Sequence, residues 1–420
     1  MALAEESAAT ESPSHVLGTD HAEPTSQDVA RAQRAQEELA ARGYEVSTKK
    51  KWWGFEIHLN AEAADMAADI AELIGEAAGN ILPSPFNKIV EAFCKIKSAW
   101  IKAVSNGYGC KLVSPWIAPG MLIPISLRPK DDTHLWWTVM DAGHKWSDDE
   151  KFTDHRSKSN PAMAEYEGKL YCVHRGDGDG KLWWTVYDPD NGWSADTAFP
   201  NHYSQDGPAL AAFNGHLYCV HRGGSDDNLW WSRFDGKTKT WSADTKLGSQ
   251  KTSRGPALAV FNGKLYCAYK GTGGNNNLWW CSTSNGTSWS GDQTFGAHRT
   301  DSNPALAVYK NTLYAVYKGV DTTALYYARF NGTNGWHGDS RLPNHHSKEG
   351  PALAVYNNHL YCVHRGGESG GSLWWTRFNG TSWHADTKLT DHFSAQGPAI
   401  VNYRDRHGTE DQLFCVHRGN

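Results

Sequence analysis

The chain has 420 residues, with 41 basic and 46 acidic side chains and a formal net charge of −5 at pH 7. This length has room for two domains, and the slightly negative charge argues against binding nucleic acid through phosphate contacts. No apolar run reaches the roughly 18 residues of a membrane-spanning helix, so no transmembrane segment is predicted. The N-terminus shows no secretory signal, so we expect a cytoplasmic protein or release by a route without a signal peptide.

Residues 1–47 are rich in Ala, Glu, Ser and Gln, and they are interpreted as an N-terminal extension. The first 24 residues have the composition of a disordered segment, and residues 27–42 favour a helix that Gly43 ends.

Residues 48–128 have a different pattern and are predicted to form a small α+β module. Trp53–Leu59 alternates apolar and polar residues, as a strand does. Asn60 is a candidate cap for a helix that runs to about Ala78 and places Met66, Ile70, Leu73 and Ala77 on one face. Two short strands are expected near Lys111–Val113 and Met121–Leu127.

A second amphipathic helix is predicted between Ser84–Pro85, a cap followed by proline, and Gly107. Its apolar residues keep helical spacing: Ile89, Phe93, Ile96, Trp100, Ile101 and Val104. It also carries Lys88, Lys95, Lys97 and Lys102. Two interpretations stay open, a helix that buries its apolar face in its own module and a helix that lies at a membrane surface.

From His134 to the C-terminus one pattern is repeated six times: L-W-W, a lone Trp, G-P-A-L-A-V-Y and L-Y-C-V-H-R-G. Its prolines recur every 47 or 48 residues, at Pro161, Pro208, Pro256, Pro304, Pro351 and Pro398. This period in a strand-rich, Gly-rich chain is typical of a β-propeller. Most of the 20 Trp and 17 Tyr residues are expected to pack between its sheets.

Each repeat is predicted to supply four short strands, A to D, joined by tight Asn-Gly type turns and longer polar loops. In one repeat these are Pro256–Phe261, Lys264–Lys270, Leu278–Trp280 and a strand D that includes Trp289. The chain enters the pattern at strand C and leaves it after strand B. Residues 129–420 are therefore predicted to be a six-bladed β-propeller closed two-plus-two by its N- and C-terminal strands, which leaves no open sheet edge.

The longer loops of such a propeller share one face, and the unusual side chains of the repeat fall there. The predicted ligand-binding residues are the His-Arg pairs that end strand B, one Trp of each pair in strand C, and the His six residues before the proline. They are His174, Arg175, His221, Arg222, His364, Arg365, His417, Arg418, Trp137, Trp184, Trp231, Trp375, His155, His202, His345 and His392.

A sugar-binding site combines an aromatic side chain with planar hydrogen-bond donors. The apolar face of the sugar ring stacks on the aromatic side chain, and the donors replace water at the sugar hydroxyls. The same Arg and Trp residues equally suit contacts that lock one blade to the next. The repeats are unequal, with Tyr269-Lys270 and Tyr317-Lys318 in place of His-Arg and Gln250 in place of a His. The repeats at Pro161, Pro208, Pro351 and Pro398 are the most complete.

Five of the eight cysteines occupy one position of the repeat and are expected to be buried free thiols, since equivalent blade positions exceed disulfide distance. Cys94 and Cys110 are left open as either a disulfide or two thiols. No spacing suggests a metal site, and no cofactor is predicted.

Residues 233–237 (RFDGK), 284–289 (SNGTSW) and 377–383 (RFNGTSW) resemble a loose form of the Asp-box turn of sialidase-type propellers. Residues 134–420 as a whole resemble the bacterial and fungal propeller lectins. The resemblance implies multivalent binding of glycans without catalysis, because the arginine triad and acid–base set of sialidases cannot be placed.

Three alternatives remain: a sialidase-like glycoside hydrolase, a protein-recruiting scaffold, and a toxin-like protein whose lectin part targets cells. In each case residues 1–128 are expected to dock, self-associate or bind a protein partner.

Overall fold

The structure is a computed structural model that describes residues 24–51, 54–82, 86–105, 109–115, 122–126, 132–333, 335–367, 371–404 and 410–420. The chain divides into two compact units, Met1–Arg128 and Pro129–Asn420. Among the described residues, no helix combines the length and the apolar character needed to cross a bilayer.

The first unit packs helices on one antiparallel four-stranded sheet, in the order β1-β2-β3-β4. Its elements are α1 Ser26–Ala41, β1 Val46–Lys50, β2 Gly54–Leu59, α2 Ala61–Asp65, α3 Ala71–Ala77, a 3₁₀ helix Ala78–Asn80, α4 Phe86–Ser105, β3 Cys110–Pro115 and β4 Ile123–Ser126.

Helix α1 belongs to the core of this unit, so the predicted boundary between residues 47 and 48 does not divide the structure. Thr25 caps the helix in a reciprocal box with Asp28. Ala35 and Leu39 are buried among the residues of the unit's hydrophobic core. The predicted disordered residues 1–23 lie outside the described residues.

The helix predicted from Asn60 to Ala78 is interrupted. Asn60 does cap α2, because its side chain accepts a hydrogen bond from the Ala63 N–H. A turn over residues 66–70 then separates α2 from α3. Because of this turn, Ile70 is buried, whereas Met66 is 38% exposed and does not join the predicted apolar face.

Helix α4 is kinked at Lys97, and its apolar residues divide between two faces. Val90, Cys94 and Ile101 are buried in the core, but Ile96 and Trp100 are exposed, so the helix does not bury all of its apolar residues in its own module. Ser84 and Pro85 lie outside the described residues.

Cys94 and Cys110 are both free and buried, so the disulfide alternative does not hold. Burial raises the pKa of each thiol to about 12. The six other cysteines, which all lie in the second unit, are buried free thiols as well.

The second unit consists of antiparallel sheets of four or five strands, which we name after the proline before the first strand. The Pro161 sheet holds β7 Ala162–Tyr166, β8 Lys169–Arg175, β9 Lys181–Asp188, β10 Gly192–Trp193 and β11 Thr197–Tyr203. The Pro208 sheet holds β12 Ala209–Phe213, β13 His216–Arg222, β14 Asn228–Asp235, β15 Thr240–Trp241 and β16 Thr245–Lys251.

The remaining sheets have four strands each. These are the Pro256 sheet (β17 Ala257–Phe261, β18 Lys264–Lys270, β19 Asn277–Thr283, β20 Gln293–Arg299), the Pro304 sheet (β21 Ala305–Tyr309, β22 Thr312–Lys318, β23 Ala324–Phe330, β24 His337–His346), the Pro351 sheet (β25 Ala352–Tyr356, β26 His359–Arg365, β27 Ser372–Phe378, β28 Thr387–Phe393) and the Pro398 sheet (β29 Ala399–Tyr403, β30 Gln412–Arg418, β5 His134–Met140, β6 Glu150–Arg156). The Pro398 sheet thus pairs the last strands of the chain with the first strands of the repeat region.

The first strands of the sheets contact one another in the cyclic order β7, β12, β17, β21, β25, β29 and again β7. The residues just before the prolines meet: Asn303 Nδ2 donates to Asn160 Oδ1 at 3.0 Å although they are 143 positions apart. A Cβ atom on Gly255 would lie 2.4 Å from the Gly207 carbonyl oxygen. This crowding explains the glycine before four of the six prolines, and the asparagines before the other two bond each other.

The lone Trp of each repeat packs across to the neighbouring sheet. Trp241 lies 4.3 Å from Phe199 and Trp336 lies 4.0 Å from Phe295, measured between ring centroids. The prediction that strand D includes Trp289 is wrong, because β20 begins four residues later, at Gln293.

Candidate functional site

The paired Trp residues of the third strands point to opposite sides of their sheets, since strand side chains alternate. The second Trp of each pair is part of the packing between sheets. Trp184 lies 5.2 Å from Phe234 and Trp137 lies 5.6 Å from Tyr187, each on the neighbouring sheet. Trp231 and Trp375 stack on the tyrosines of their own sheets and belong to hydrophobic clusters shared with the next sheet. These four residues were predicted to bind ligand, and the structure places them in this packing.

The first Trp of the pair lines an open cavity in three sheets. We call these the tryptophan cavities and name each after Trp183, Trp230 or Trp374. Their volumes are about 430, 410 and 400 Å³. The sequence pattern contained both members of each pair, and only the side of the sheet distinguishes them.

Each tryptophan cavity lies between two neighbouring sheets. The Trp230 cavity is lined by Asn201 and Tyr203 from the Pro161 sheet and by Gly223, Gly224, Ser225, Asp226, Trp230 and Asp244 from the Pro208 sheet. The other linings follow the same plan. They are Asp154, Arg156, His174, Gly176, Asp177, Gly178, Asp179, Trp183 and Asp196 in one, and Thr323, Asn344, His346, Gly366, Gly367, Trp374 and Asp386 in the other.

An aspartate four residues before the Trp fixes the indole ring in two cavities. Trp230 Nε1 donates to Asp226 Oδ1 at 3.1 Å, and Trp183 Nε1 donates to Asp179 Oδ1 at 3.5 Å. Partial burial opposes ionisation of Asp226, but hydrogen bonds from Asn228 and Trp230 outweigh it and lower the pKa of Asp226. The carboxylate is therefore ionised at neutral pH, and the indole is held in one orientation.

The glycine after each His-Arg pair is required by this arrangement. A Cβ atom on Gly223 would lie 2.1 Å from Asp226 Oδ1 and 2.8 Å from Trp230 Nε1. On Gly176 it would lie 2.3 Å from Asp179 Oδ1 and 2.7 Å from Trp183 Nε1. Only glycine permits the loop to approach the indole so closely.

The floor of each cavity is an aspartate that holds a buried histidine. Nε2 of His174, His221 and His364 contacts Asp196, Asp244 and Asp386 at 3.1, 3.0 and 3.0 Å. His417 makes the same contact to Asp149 at 3.0 Å. These four histidines, which were predicted to bind ligand, are at most 1% exposed and support the floor, and His174 also lines the Trp183 cavity.

The histidines six residues before the prolines are also buried between sheets. Nε2 of His155, His202 and His392 contacts the carbonyl oxygens of Ser194, Ser242 and Ser147 at 2.9, 3.0 and 3.0 Å. His345 is likewise buried, at 1% exposure. All four were predicted to bind ligand. The hydrogen bonds of His155, His202 and His392 join one sheet to the next, and the His345 ring lies 6.4 Å from the His364 ring of the neighbouring sheet.

The predicted arginines bond the loop that leads from the last strand of their own sheet to the next sheet. Arg175 Nε and Arg365 Nε donate to the carbonyl oxygens of Ser204 and Ser394, both at 2.7 Å. Arg418 Nε donates to the Ser157 carbonyl at 2.9 Å, and Arg222 bonds the Ser253 carbonyl and Asp227. None of them lines a tryptophan cavity. Of the two interpretations that the sequence left open, the structure favours the lock.

Sequence reasoning missed two sets of cavity residues that it could have found. The floor aspartate follows the lone Trp by three positions in every repeat, as W-x-x-D, at Asp149, Asp196, Asp244, Asp292, Asp339 and Asp386. The residues on either side of the buried D–A histidine also reach the cavities, as Asp154 and Arg156, Asn201 and Tyr203, or Asn344 and His346. In a strand, neighbours of a buried residue must face the other way.

Position in the repeat alone does not produce an open cavity. The Pro398 repeat looked complete, but its Trp136 is 1% exposed and donates to Asp132 Oδ2 at 2.8 Å. At the three open positions the Trp is half-buried.

Comparisons with known proteins yielded structural likenesses alone. No protein-family model and no curated protein sequence matches the chain. AofleA from Arthrobotrys oligospora is 14% identical with a TM-score of 0.46, and the match covers 61% of this chain and 79% of that one. The fucose-specific lectin from Aleuria aurantia is 14% identical with a TM-score of 0.44, over 60% and 93%. The Hadza microbial sialidase Hz136 is 11% identical with a TM-score of 0.45, over 62% and 65%.

Proposed function

We propose that residues 129–420 form a six-bladed β-propeller closed two-plus-two and that it is a multivalent carbohydrate-binding protein, a lectin. The ligands are glycans, and each tryptophan cavity takes one saccharide unit. The observation that carries the proposal is the recurrence of one cavity design between three pairs of neighbouring sheets.

The closed wheel is supported by the contacts of the first strands, which return from β29 to β7. The Asn303–Asn160 hydrogen bond joins residues three repeats apart and requires them to meet near a common axis. The Pro398 sheet, built from both ends of the repeat region, supplies the closure.

The chemistry of the cavities suits a saccharide. Volumes near 400 Å³ fall within the usual range for small-ligand sites. The half-buried indole offers an apolar face for the C–H side of a pyranose ring, and the fixed carboxylates accept hydrogen bonds from its hydroxyls. In the Trp230 cavity, Tyr203 adds a second, 41% exposed aromatic ring and Asn201 adds an amide.

A hydrolase would need an acid whose pKa is raised so that it carries a proton at neutral pH. In the described part of the chain, burial raises the pKa of the carboxyl groups of Glu150, Asp206 and Glu349. None of these three residues lines a tryptophan cavity, and the pKa of Asp226, which does, is lowered. Binding without cleavage is therefore the better account of these cavities.

Three similar cavities on one unit can give a high overall affinity even when each site binds weakly. A hydroxyl hydrogen bond to protein replaces one to water, so each site alone contributes little net affinity. Simultaneous contact with a branched or surface-bound glycan raises the overall affinity by a factor on the order of 10² or more.

The test is a glycan array with the native chain and with Trp183→Ala, Trp230→Ala and Trp374→Ala, singly and combined. Removing an anchoring indole is expected to cost about 2 kcal/mol, or roughly 30-fold, at that site, and the triple variant should lose array binding. Calorimetry with the best monovalent glycan should give a stoichiometry that falls by one with each substitution.

The matched control is Arg365→Ala, which removes a lock outside the cavities. It is expected to lower the melting temperature and leave the glycan profile unchanged. A triple Trp variant that binds as the native chain does, or turnover of an array hit by the native chain, would refute the proposed function.

A further inference from the structure

The outer face of α4 carries an apolar stripe that the fold does not use. Ile96 is 75% exposed and Trp100 is 44% exposed, one helical turn apart. Ala92 and Ala99 continue the stripe and are exposed too. Phe93 supports Trp100 from the side, with the ring centroids 6.2 Å apart.

The residues of this stripe are not needed for the hydrophobic core of the first unit. The inward face of α4 already supplies Val90, Cys94 and Ile101 to the core, each fully buried. Exposing Ile96 and Trp100 to water brings no folding benefit, because a large side chain gains stability only when it is removed from water. A contiguous exposed apolar patch of this kind marks an interaction surface.

Lysines surround the stripe. Lys88, Lys95, Lys97 and Lys102 are all exposed, whereas Glu91 is the one acidic residue of α4. Glu91 contacts Lys88 and Lys95 at 2.8 Å each. Among the described residues, Lys97 and Lys102 form no ion pair. The helix is therefore strongly cationic in a chain whose net charge is negative.

We propose that the outer face of α4 docks on an anionic lipid surface. Ile96 and Trp100 enter the boundary between headgroups and acyl chains, where Trp is a favoured anchor. The lysine stems lie along that boundary and their ammonium groups reach the anionic headgroups. The helix lies in the plane of the surface and does not cross it.

The charge pattern favours a lipid surface over a second copy of the chain. A two-fold symmetric contact through α4 would bring the same lysines of both copies together, and like charges at an interface disfavour association. An anionic bilayer offers negative charge on every side of the stripe at once.

This inference is independent of the proposed glycan binding, because it concerns a different unit. The experiment is co-sedimentation of the full chain with vesicles of phosphatidylcholine alone and with about one third phosphatidylserine, both free of glycolipid. The native chain should bind the vesicles with phosphatidylserine, and added salt should weaken that binding.

Two double variants test the two components of the surface. Ile96→Ser with Trp100→Ser should reduce binding roughly tenfold or more by removing the inserted side chains. Lys97→Glu with Lys102→Glu should reduce it by at least about fivefold per lysine. Met66→Ser, a change of another exposed apolar residue in the same unit, should bind as the native chain does.

Because all the substituted side chains are exposed, both double variants should melt at the native temperature. If one double variant does not fold, vesicle binding by the other double variant tests the proposal. The proposal is overturned if the native chain ignores phosphatidylserine vesicles or if the folded double variants bind them unchanged. It is also overturned if sedimentation velocity shows a dimer of the native chain that Ile96→Ser with Trp100→Ser abolishes.

Discussion

The repeats at Pro208 and Pro256 fold in the same register but hold the aspartate after the lone Trp with different side chains. In the first, His221 Nε2 contacts Asp244 Oδ1 at 3.0 Å. In the second, the Tyr269 hydroxyl donates to Asp292 Oδ1 at 2.5 Å. A phenol thus replaces an imidazole, while the aspartate keeps its buried partner.

The same rule holds for the histidine before the next proline. His202 Nε2 contacts the Ser242 carbonyl at 3.0 Å, and Gln250 Nε2 donates to the Ser290 carbonyl at 2.9 Å. The donor position is preserved although the residue type changes. These positions therefore maintain contacts between sheets.

The cavity positions do not follow this rule. Asp226, which fixes Trp230, corresponds to Asn275 in the Pro256 repeat, and Tyr203 corresponds to Lys251. Asn275 Oδ1 still accepts a hydrogen bond from the Asn277 N–H at 3.0 Å, as Asp226 Oδ1 does from the Asn228 N–H at 3.1 Å, but the negative charge and the aromatic ring are lost. The comparison teaches that a structural contact keeps its donor or acceptor when the residue type changes, whereas the cavity positions differ in the charge and aromatic surface that they offer.

The largest expected effect comes from removing a floor aspartate. Asp244 Oδ1 lies 3.0 Å from His221 Nε2 and 3.8 Å from His202 Nε2. Asp244→Ala removes the carboxylate beside both buried rings and should lower the free energy of unfolding by about 3 kcal/mol. Asp292→Ala strands one phenol and should cost about 1.5 kcal/mol. Urea unfolding of both variants measures the difference, and equal losses would contradict the two-histidine role of Asp244.

Filling the space beside the indole should have the next largest effect. Gly223→Ala forces Asp226 and Trp230 apart, so it should cost about 2 kcal/mol and weaken glycan binding at that cavity. The matched control is Gly178→Ala in the Trp183 cavity, where a Cβ atom meets nothing within 4 Å. Glycan binding and thermal unfolding are measured for both variants. Native glycan binding and native stability in Gly223→Ala would contradict the close approach of Gly223 to Asp226 and Trp230.

A smaller effect is expected at the residue opposite the repeat cysteine. The Ser232 hydroxyl is buried without a hydrogen-bond partner among the described residues, whereas Thr185 donates to the Ser194 carbonyl at 2.6 Å. Ser232→Thr should therefore raise the free energy of unfolding by about 1 kcal/mol. Cys281→Ser, which gives the Pro256 repeat the same stranded hydroxyl, should lower it by a similar amount in the same denaturant series.

The smallest effect is on pH dependence. Burial lowers the pKa of His155 below its usual 6.5, against the nearby Asp196 carboxylate and with a minor contribution from His174. As the pH falls below about 6.5, His155 takes up a proton more readily in the unfolded chain than in the folded chain. The free energy of unfolding therefore decreases as the pH falls through this range.

His155→Gln copies the residue that the Pro256 repeat region already uses at Gln250, and it should flatten the fall in stability between neutral and mildly acidic pH. The reciprocal Gln250→His should steepen it. Chemical unfolding across that range measures both slopes, and unchanged slopes would show that His155 does not titrate with folding.

The sequence predicted elements well where one periodic pattern decided them. The tight turns at Asn214–Gly215 and Asn262–Gly263 take positive φ at both residues, as hairpins with Asn-Gly do. The α4 helix was predicted, but its apolar residues were treated as one face, either buried in the module or at a membrane surface. Spacing alone cannot distinguish two apolar stripes on one helix, because only the neighbouring elements decide which stripe is covered.

The candidate site shows the same limit more sharply. The repeat drew attention to the Trp pairs and the His-Arg pairs. The structure places these histidines on the aspartates of their own sheets, the arginines on the loops that follow those sheets, and one Trp of each pair in the packing between sheets. The cavity residues came from two sheets at once, such as Tyr203 with Trp230. No pattern within a single repeat records which neighbour completes it.

By itself, the sequence determined the repeat, its turns, its strand periodicity and the glycine positions, because these depend on local backbone geometry and on spacing along the chain. Only the tertiary structure decided which indole faces water, which aspartate forms a floor and which apolar stripe of α4 stays uncovered. Those outcomes depend on which segments, distant in sequence, pack against each other. Whether a side chain is buried is set by both packed surfaces together, so the sequence of one segment cannot determine it.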